Sequence, residues 1–126
     1  MKDLEQIFIE LKRSMKRYTP PLVERLTAKT TKPQYALWSI KDVVIAGRPR
    51  KEVFFAGLIL QKSYVGFYFM PVYTDTEIKK FFAPELLKLL KGKSCFYIRD
   101  LTPQLQKHIE QALDQGWKEY NKKGWV

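Results

Sequence analysis

The chemistry-bearing residues of this 126-residue chain are densest at "AGRPRKEVFF", residues 46–55. Arg48, Arg50 and Lys51 crowd around Gly47 and Pro49, with apolar residues running away on both sides. Arginine presents a planar fork that grips a carboxylate or phosphate through paired hydrogen bonds. Trp38, Phe54, Phe55 and Tyr68 are side chains of the kind that stack a ring or a base beside such cations, and Arg99 adds a further guanidinium. The ligand-binding set read from the sequence is therefore Trp38, Arg48, Arg50, Lys51, Phe55, Tyr68 and Arg99. The same stretch also reads as a plain hairpin connection. Gly47 and Pro49 are turn residues, and charges at a turn keep sheet ends from aggregating. At the level of sequence both readings stand.

The other reactive side chains form no catalytic pattern. There is no Gly-x-Ser-x-Gly elbow, no phosphate-cradling glycine loop, and no CxxC or HxxxH spacing. Cys95 is the sole cysteine and falls in an apolar strand, where desolvation keeps a thiol protonated and inert. His108, the sole histidine, lies at the edge of the final helix's apolar stripe and reads as a boundary imidazole. The closest carboxylate pairs are Asp75 with Glu77 and Glu110 with Asp114. Lys107 and Lys118 flank the second pair, so a solvated helix face is the better account. No catalytic residue, metal ligand or cofactor is assigned, and a non-enzymatic role is expected.

Bulk properties bound the rest. The length is that of one domain, large enough for a core without staples. With 45% hydrophobic and 29% charged residues, the chain reads as an ordinary globular protein. A net charge of +10, spread along the chain, favours anionic partners: nucleic acid, phosphorylated metabolites or an acidic surface. One cysteine allows no internal disulfide and suggests a reducing compartment. The N-terminal stretch lacks the apolar region of a secretory signal, and no apolar run is long enough to span a bilayer. A cytoplasmic location with no membrane partner is the expectation.

The elements that must position these residues follow from periodicity. Residues 3–18 predict an amphipathic helix, with Leu4, Ile7, Phe8, Leu11, Met15 and Tyr18 on one face. Thr19, Pro20 and Pro21 predict the start of a second helix over about 20–29, burying Leu22, Val23 and Leu26. Three β-rich runs follow as an antiparallel meander: "QYALWSIKDVVIA", "KEVFFAGLILQ" and "YVGFYFMPV", with "GRPR" as the first connection and Lys62-Ser63 as the second. In the third run Val65, Phe67 and Phe69 point one way, and Tyr64, Tyr68 and Met70 the other. Both faces are apolar, so either helices cover both or one is an aromatic-lined groove.

"TDTEIKKFFAPELLKLLKGK" predicts two helical pieces, capped at Thr74 or Thr76 and opened at Pro84, with Gly92 ending the second. "KSCFYIR" is a fourth strand. Thr102 and Pro103 open a final long helix, with Leu105, Ile109, Ala112, Leu113, Trp117 and Tyr120 as its buried stripe. Beyond Gly124, Trp125 either folds back on the body or contacts a partner, as in a homodimer. The expected fold class is α+β: a four-stranded, mainly antiparallel sheet, a three-strand meander plus one later strand, with N- and C-terminal helices packed on it.

Two stretches carry a resemblance. One is Lys62 followed by Val65-Gly66-Phe67-Tyr68 and Pro71. The other is Lys91-Gly92-Lys93, a strand, then Pro103 opening a helix with Leu105 and Ile109. Over residues 20–120 the chain resembles the YdhG-like domain family, a bacterial α+β group with some members regarded as frataxin-like iron chaperones. It departs from that family at "YALWSI", which lacks the usual Gly and Pro, and in the more basic "GRPRK". The resemblance implies a fold. The residues themselves suggest a non-enzymatic module for an anionic, partly apolar ligand. Alternatives are nucleic-acid binding and, through the resemblance, iron delivery.

Overall fold

The computed structural model describes residues 3–27 and 32–126. The first helix, α1 (Leu4–Lys16), forms as its periodicity predicts. Asp3 accepts from the Gln6 amide at 2.8 Å, and the Gln6 side chain accepts from the Asp3 amide at 3.2 Å. This reciprocal box satisfies two of the orphan amides that every helix start leaves. Ile7, Leu11 and Met15 are buried.

The next segment corrects the expectation. Val23–Thr27 is a strand, β1, paired antiparallel with β2 (Gln34–Ser39). Leu26, expected on a buried helix face, is 62% exposed. Helix propensity is a weak prior, and a neighbouring strand offering a full ladder overrides it. The expected continuation over residues 28 and 29 lies outside the described residues.

The "QYALWSIKDVVIA" run splits into β2 and β3 (Val43–Ile45), and "GRPR" is not the connection. Instead Arg48–Arg50 forms β4, paired with β3 in a separate two-stranded ribbon. Ile45 faces Arg48, so the turn is Ala46-Gly47. Both turn residues have positive φ, 53° and 78°. That is the backbone of a tight two-residue hairpin loop, whose twist suits its flanking strands. Pro49 is tolerated because this ribbon has free edges.

The remaining strands are β5 (Val53–Leu60), β6 (Val65–Phe69), β7 (Leu90–Lys91) and β8 (Cys95–Ile98). Among the described residues the main sheet has six strands rather than four, in the order β1-β2-β5-β6-β8-β7, with every neighbour antiparallel. The expected meander and later strand are its centre. The additions are β1 on one edge and the two-residue β7 on the other. Between β6 and β7 run α2 (Met70–Thr74), a 3₁₀ segment (Thr76–Phe81) and α3 (Pro84–Leu87). The cap of the 3₁₀ segment is Asp75, not Thr74 or Thr76. The last helix, α4 (Pro103–Lys122), starts as predicted, with Thr102 Oγ1 accepting from the Leu105 amide at 3.1 Å.

α1 and α4 lie on one side of the sheet. Their apolar faces meet Leu37, Phe55, Leu58, Phe67, Phe69 and Phe96 in one continuous core. Gly116 lets α4 approach: a Cβ there would stand 2.4 Å from the Phe69 ring and 2.8 Å from Pro71. No helix of the described residues is long and apolar enough to cross a membrane.

β2 and β5 do not pair evenly. Leu37 faces Ala56 but Trp38 faces Phe54, so Phe55 is an extra residue, a β-bulge. At the bulge the Phe54 carbonyl accepts from the Tyr120 hydroxyl at 2.5 Å. Tyr120 is fully buried, and burial pushes its phenol well above the ordinary value near 10. Tyr120→Phe is expected to lower stability by about 1–3 kcal/mol in chemical denaturation, because a buried carbonyl loses its donor. The raised phenol stabilises the fold fully below about pH 10, and that contribution is lost as pH climbs above it. The variant should therefore show a shallower alkaline loss of stability. Ala46→Asn should stabilise the ribbon by about 1 kcal/mol, since asparagine accepts a positive φ more readily than alanine.

Candidate functional site

Because α1 and α4 pack on one side, no helix layer of the described residues covers the other side of the sheet, and an aromatic-lined groove runs across it. Alternation and register define this bare face. Ala36 of β2 faces Gly57 of β5, which faces Tyr68 of β6. The small pair forms a floor, and the hollow above it measures about 420 Å³. Trp38 and Phe54 stand on one side of the floor, with ring centroids 5.2 Å apart, and Tyr68 and Met70 on the other. A cavity of this size, mostly apolar with a few polar groups, is of the kind that binds small molecules.

The glycines let the rings lie flat. A Cβ on Gly57 would stand 3.0 Å from the Phe54 ring, and one on Gly66 would stand 3.0 Å from the Tyr68 ring. Phe54 and Tyr68 thus cover the bare backbone beside them, a way of rescuing glycine within a sheet. Among the described residues the polar complement is modest: Thr27, Gln34 and Ser94 at the margins, and one cation, Arg25.

The Arg25 guanidinium sits 4.7 Å from the Trp38 ring centroid. It also forks onto Glu52, with Nη1 donating to Oε1 at 3.1 Å and Nη2 to Oε2. This hydrogen bonding lowers the Glu52 carboxyl and raises the arginine. Both side chains are over 40% exposed. Such a pair contributes little to stability, so an incoming anion can compete with Glu52 for the guanidinium.

Of the residues expected to bind ligand, Trp38 and Tyr68 line this groove. Phe55 does not. It is 0% exposed on the opposite face, against Tyr18, Phe69, Trp117 and Tyr120 at 5.1–6.4 Å between centroids. The bulge keeps Phe55 in the core. Arg48, Arg50 and Lys51 are exposed on the β3–β4 ribbon and its exit, and none lines the groove. Arg50 and Lys51 border a separate shallow hollow with Asp42. Arg99 stands at the far end of the bare face, 5.8 and 5.7 Å from the Tyr64 and Tyr97 rings. Arg25, Ala36, Phe54, Gly57 and Met70 are among the groove's other residues. Arg25 was hidden by the helical reading of its segment.

The other reactive groups are engaged elsewhere. Cys95 shares the bare face with Tyr68 but does not line the groove, and burial pushes its thiol up. Glu110 accepts from Ser14 Oγ at 2.7 Å and lies 3.6 Å from Arg17, while Asp114 pairs with Lys118 at 3.2 Å. His108 Nε2 is 3.5 Å from Glu85 Oε2. Among the described residues no three His, Cys, Asp or Glu side chains form a metal-binding group. Trp125 folds back, with its ring 5.1 Å from Tyr120 and its carbonyl accepting from Ser39 Oγ at 2.6 Å.

The chain matches no protein-family model, and comparison with curated proteins and with solved structures finds no relative.

Gly57→Ala tests the construction of the groove. The new methyl would press on the Phe54 ring and lie 3.3 Å from the Tyr35 carbonyl. Overpacking of this kind is expected to lower stability by about 1–3 kcal/mol and to displace Phe54 from Trp38. Chemical denaturation reads the first effect, and the nuclear Overhauser contacts between the two rings read the second.

Proposed function

We propose that the protein is a non-enzymatic, cytoplasmic binding module whose site is the groove on the bare sheet face, and that its ligand is anionic and partly apolar. The observation that carries this reading is the set of rings around the Ala36–Gly57 floor, with Arg25 beside them. The rings would supply desolvation and shape, and the guanidinium would fix the orientation of an acidic group. A net charge of +10 draws anions towards any such site. Among the described residues no His, Cys, Asp or Glu lines the groove, which favours binding over acid–base or nucleophilic chemistry there.

The likeness to YdhG-like domains at Lys62–Pro71 and Lys91–Ile109 is proposed as kinship in fold. An iron-delivery role gains no support from Glu110 and Asp114, which already serve Ser14, Arg17 and Lys118.

The test is an NMR titration with 2-naphthoate, a flat ring bearing one carboxylate, against uncharged 2-naphthylmethanol. Shifts are expected at the Trp38 indole and the Gly57 amide, with the carboxylate binding more tightly. Ala36→Leu should abolish both by filling the floor, and the fold should persist because position 36 lies on the bare face and leucine suits a strand at least as well as alanine. Arg25→Gln should weaken naphthoate but not the alcohol. Shifts confined to other surfaces, or none, would overturn the reading.

A further inference from the structure

The bare face extends beyond the groove, and its chemistry is ordered across the sheet. In register, one row runs Arg25, Ala36, Gly57, Tyr68, Cys95, Lys91, one residue from each of the six strands. Directly opposed residues in an antiparallel pair share a face. The row therefore begins and ends in a cation, with small and aromatic residues between.

A second platform stands at the other end of the face. Gly66 pairs with Tyr97, so Tyr97 shares the face with Tyr68 and Cys95. The Tyr97 and Tyr64 rings are stacked, 4.0 Å apart at 9°, with the Arg99 guanidinium alongside both. Interaction with the Tyr97 hydroxyl raises the Tyr64 phenol to about 12. Three strand spacings and about five residues of strand rise place this platform about 20 Å from Trp38.

Charge along the strands is equally one-sided, while Glu85 and Asp100 border a hollow beside Tyr97 and Arg99 at the end of β8. Among the described residues, the strand positions that alternate onto this face carry no carboxylate. Glu24 of β1 points to the core side, where it accepts from the Tyr35 hydroxyl at 2.7 Å. Glu52, which precedes β5, is bound to Arg25.

We infer that the bare face is a docking surface for single-stranded nucleic acid, whose bases stack at the Trp38–Phe54 and Tyr64–Tyr97 platforms while its phosphates meet Arg25, Lys91 and Arg99. The inference rests on the groove being a binding site and names its ligand class. A small aromatic anion occupies one platform and one cation. Two platforms about 20 Å apart, with cations at both sheet edges, suit an occupant that alternates rings with negative charges over several units. Single strands expose their bases for stacking, whereas a duplex buries them.

The experiment is fluorescence anisotropy with labelled oligothymidylate and oligouridylate of about ten nucleotides, and with a duplex of the same length. Both single strands should bind and the duplex more weakly, and the stronger single strand identifies the preferred sugar. Three phosphate contacts on a single strand give a log–log salt slope near −2, or about a 20-fold loss of affinity between 50 and 200 mM salt. Lys91→Gln and Arg99→Gln, both at exposed positions, should each reduce that slope by about 0.7. Tyr97→Ala should weaken binding about tenfold or more through lost stacking. Glu52→Gln should strengthen it by freeing Arg25. Arg48→Gln and Arg50→Gln, on the ribbon, should leave affinity nearly unchanged.

Equal losses from the ribbon and face variants would overturn the inference, because attraction would then be diffuse. So would duplex binding as strong as single-strand binding. Absence of oligonucleotide binding while 2-naphthoate still occupies the groove would defeat this inference alone. Absence of both would defeat the reading it rests on as well.

Discussion

Both faces of the sheet depend on a one-residue change of phase at Phe55. A strand alternates its side chains with a period of two, so an inserted residue exchanges the faces of everything after it. Phe54 points to the bare face beside Trp38, and Phe55 points to the core. Strict alternation would return Ala56 to the bare face and send Gly57 into the core. The bulge holds Ala56 in the core opposite Leu37 and delivers Gly57 to the bare face opposite Ala36. Leu58 then reaches the core, and the groove gains its floor. Tyr120 ties this irregularity to α4 through the Phe54 carbonyl, so the helix layer and the groove share one backbone constraint.

The two faces solve different packing problems with the same residue types. On the core side, Phe55, Phe67, Phe69 and Phe96 meet at tilted, edge-on and stacked angles beneath α1 and α4, where complementary ring geometry adds to burial. On the bare side no layer of the described residues covers the backbone. There the rings lie against glycine, Phe54 over Gly57 and Tyr68 over Gly66, and keep part of their own area out of water. Arg25 on Trp38 and Arg99 on the Tyr64–Tyr97 pair shield more. An apolar sheet face can thus persist without helices, because rings and guanidinium groups form a thin cover over it.

The parts legible in the sequence are those whose periodicity is locally complete. α1 and α4 show a full apolar stripe bounded by Asp3 and by Thr102-Pro103, and both form where the pattern places them. β5 and β6 are visible as apolar runs. β1 is not, because Glu24, Arg25, Leu26 and Thr27 are all exposed at the sheet edge. An edge strand with no burial pattern leaves no trace in hydropathy, and its pairing with β2 is a tertiary fact. The Ala46-Gly47 turn was hidden because Gly47 and Pro49 are the stronger turn signals. Trp38 and Tyr68, singled out from residue type, both line the groove. Arg25 was lost with β1, and Phe55 was misplaced because ring chemistry alone cannot tell which face a bulge assigns.

Position, more than number, decides what the cations do. A net charge of +10 raises the local concentration of any anion and speeds encounter, and Arg48, Arg50 and Lys51 contribute to that field from the exposed ribbon. Screening at physiological salt shortens its reach to about 8 Å, so charges on the ribbon can steer but cannot orient. Arg25 and Arg99 differ because each lies beside an aromatic ring, where charge and π-face are presented together. A ligand that satisfies one can satisfy the other without moving, which is how a diffuse attraction becomes a defined pose. Arg25 is already held in a geometry of this kind by Glu52, an internal carboxylate standing where the acidic group of a ligand would stand. Exchanging that carboxylate for a ligand's conserves the paired hydrogen bonds. Selectivity would then come from what the rest of the ligand places on the rings.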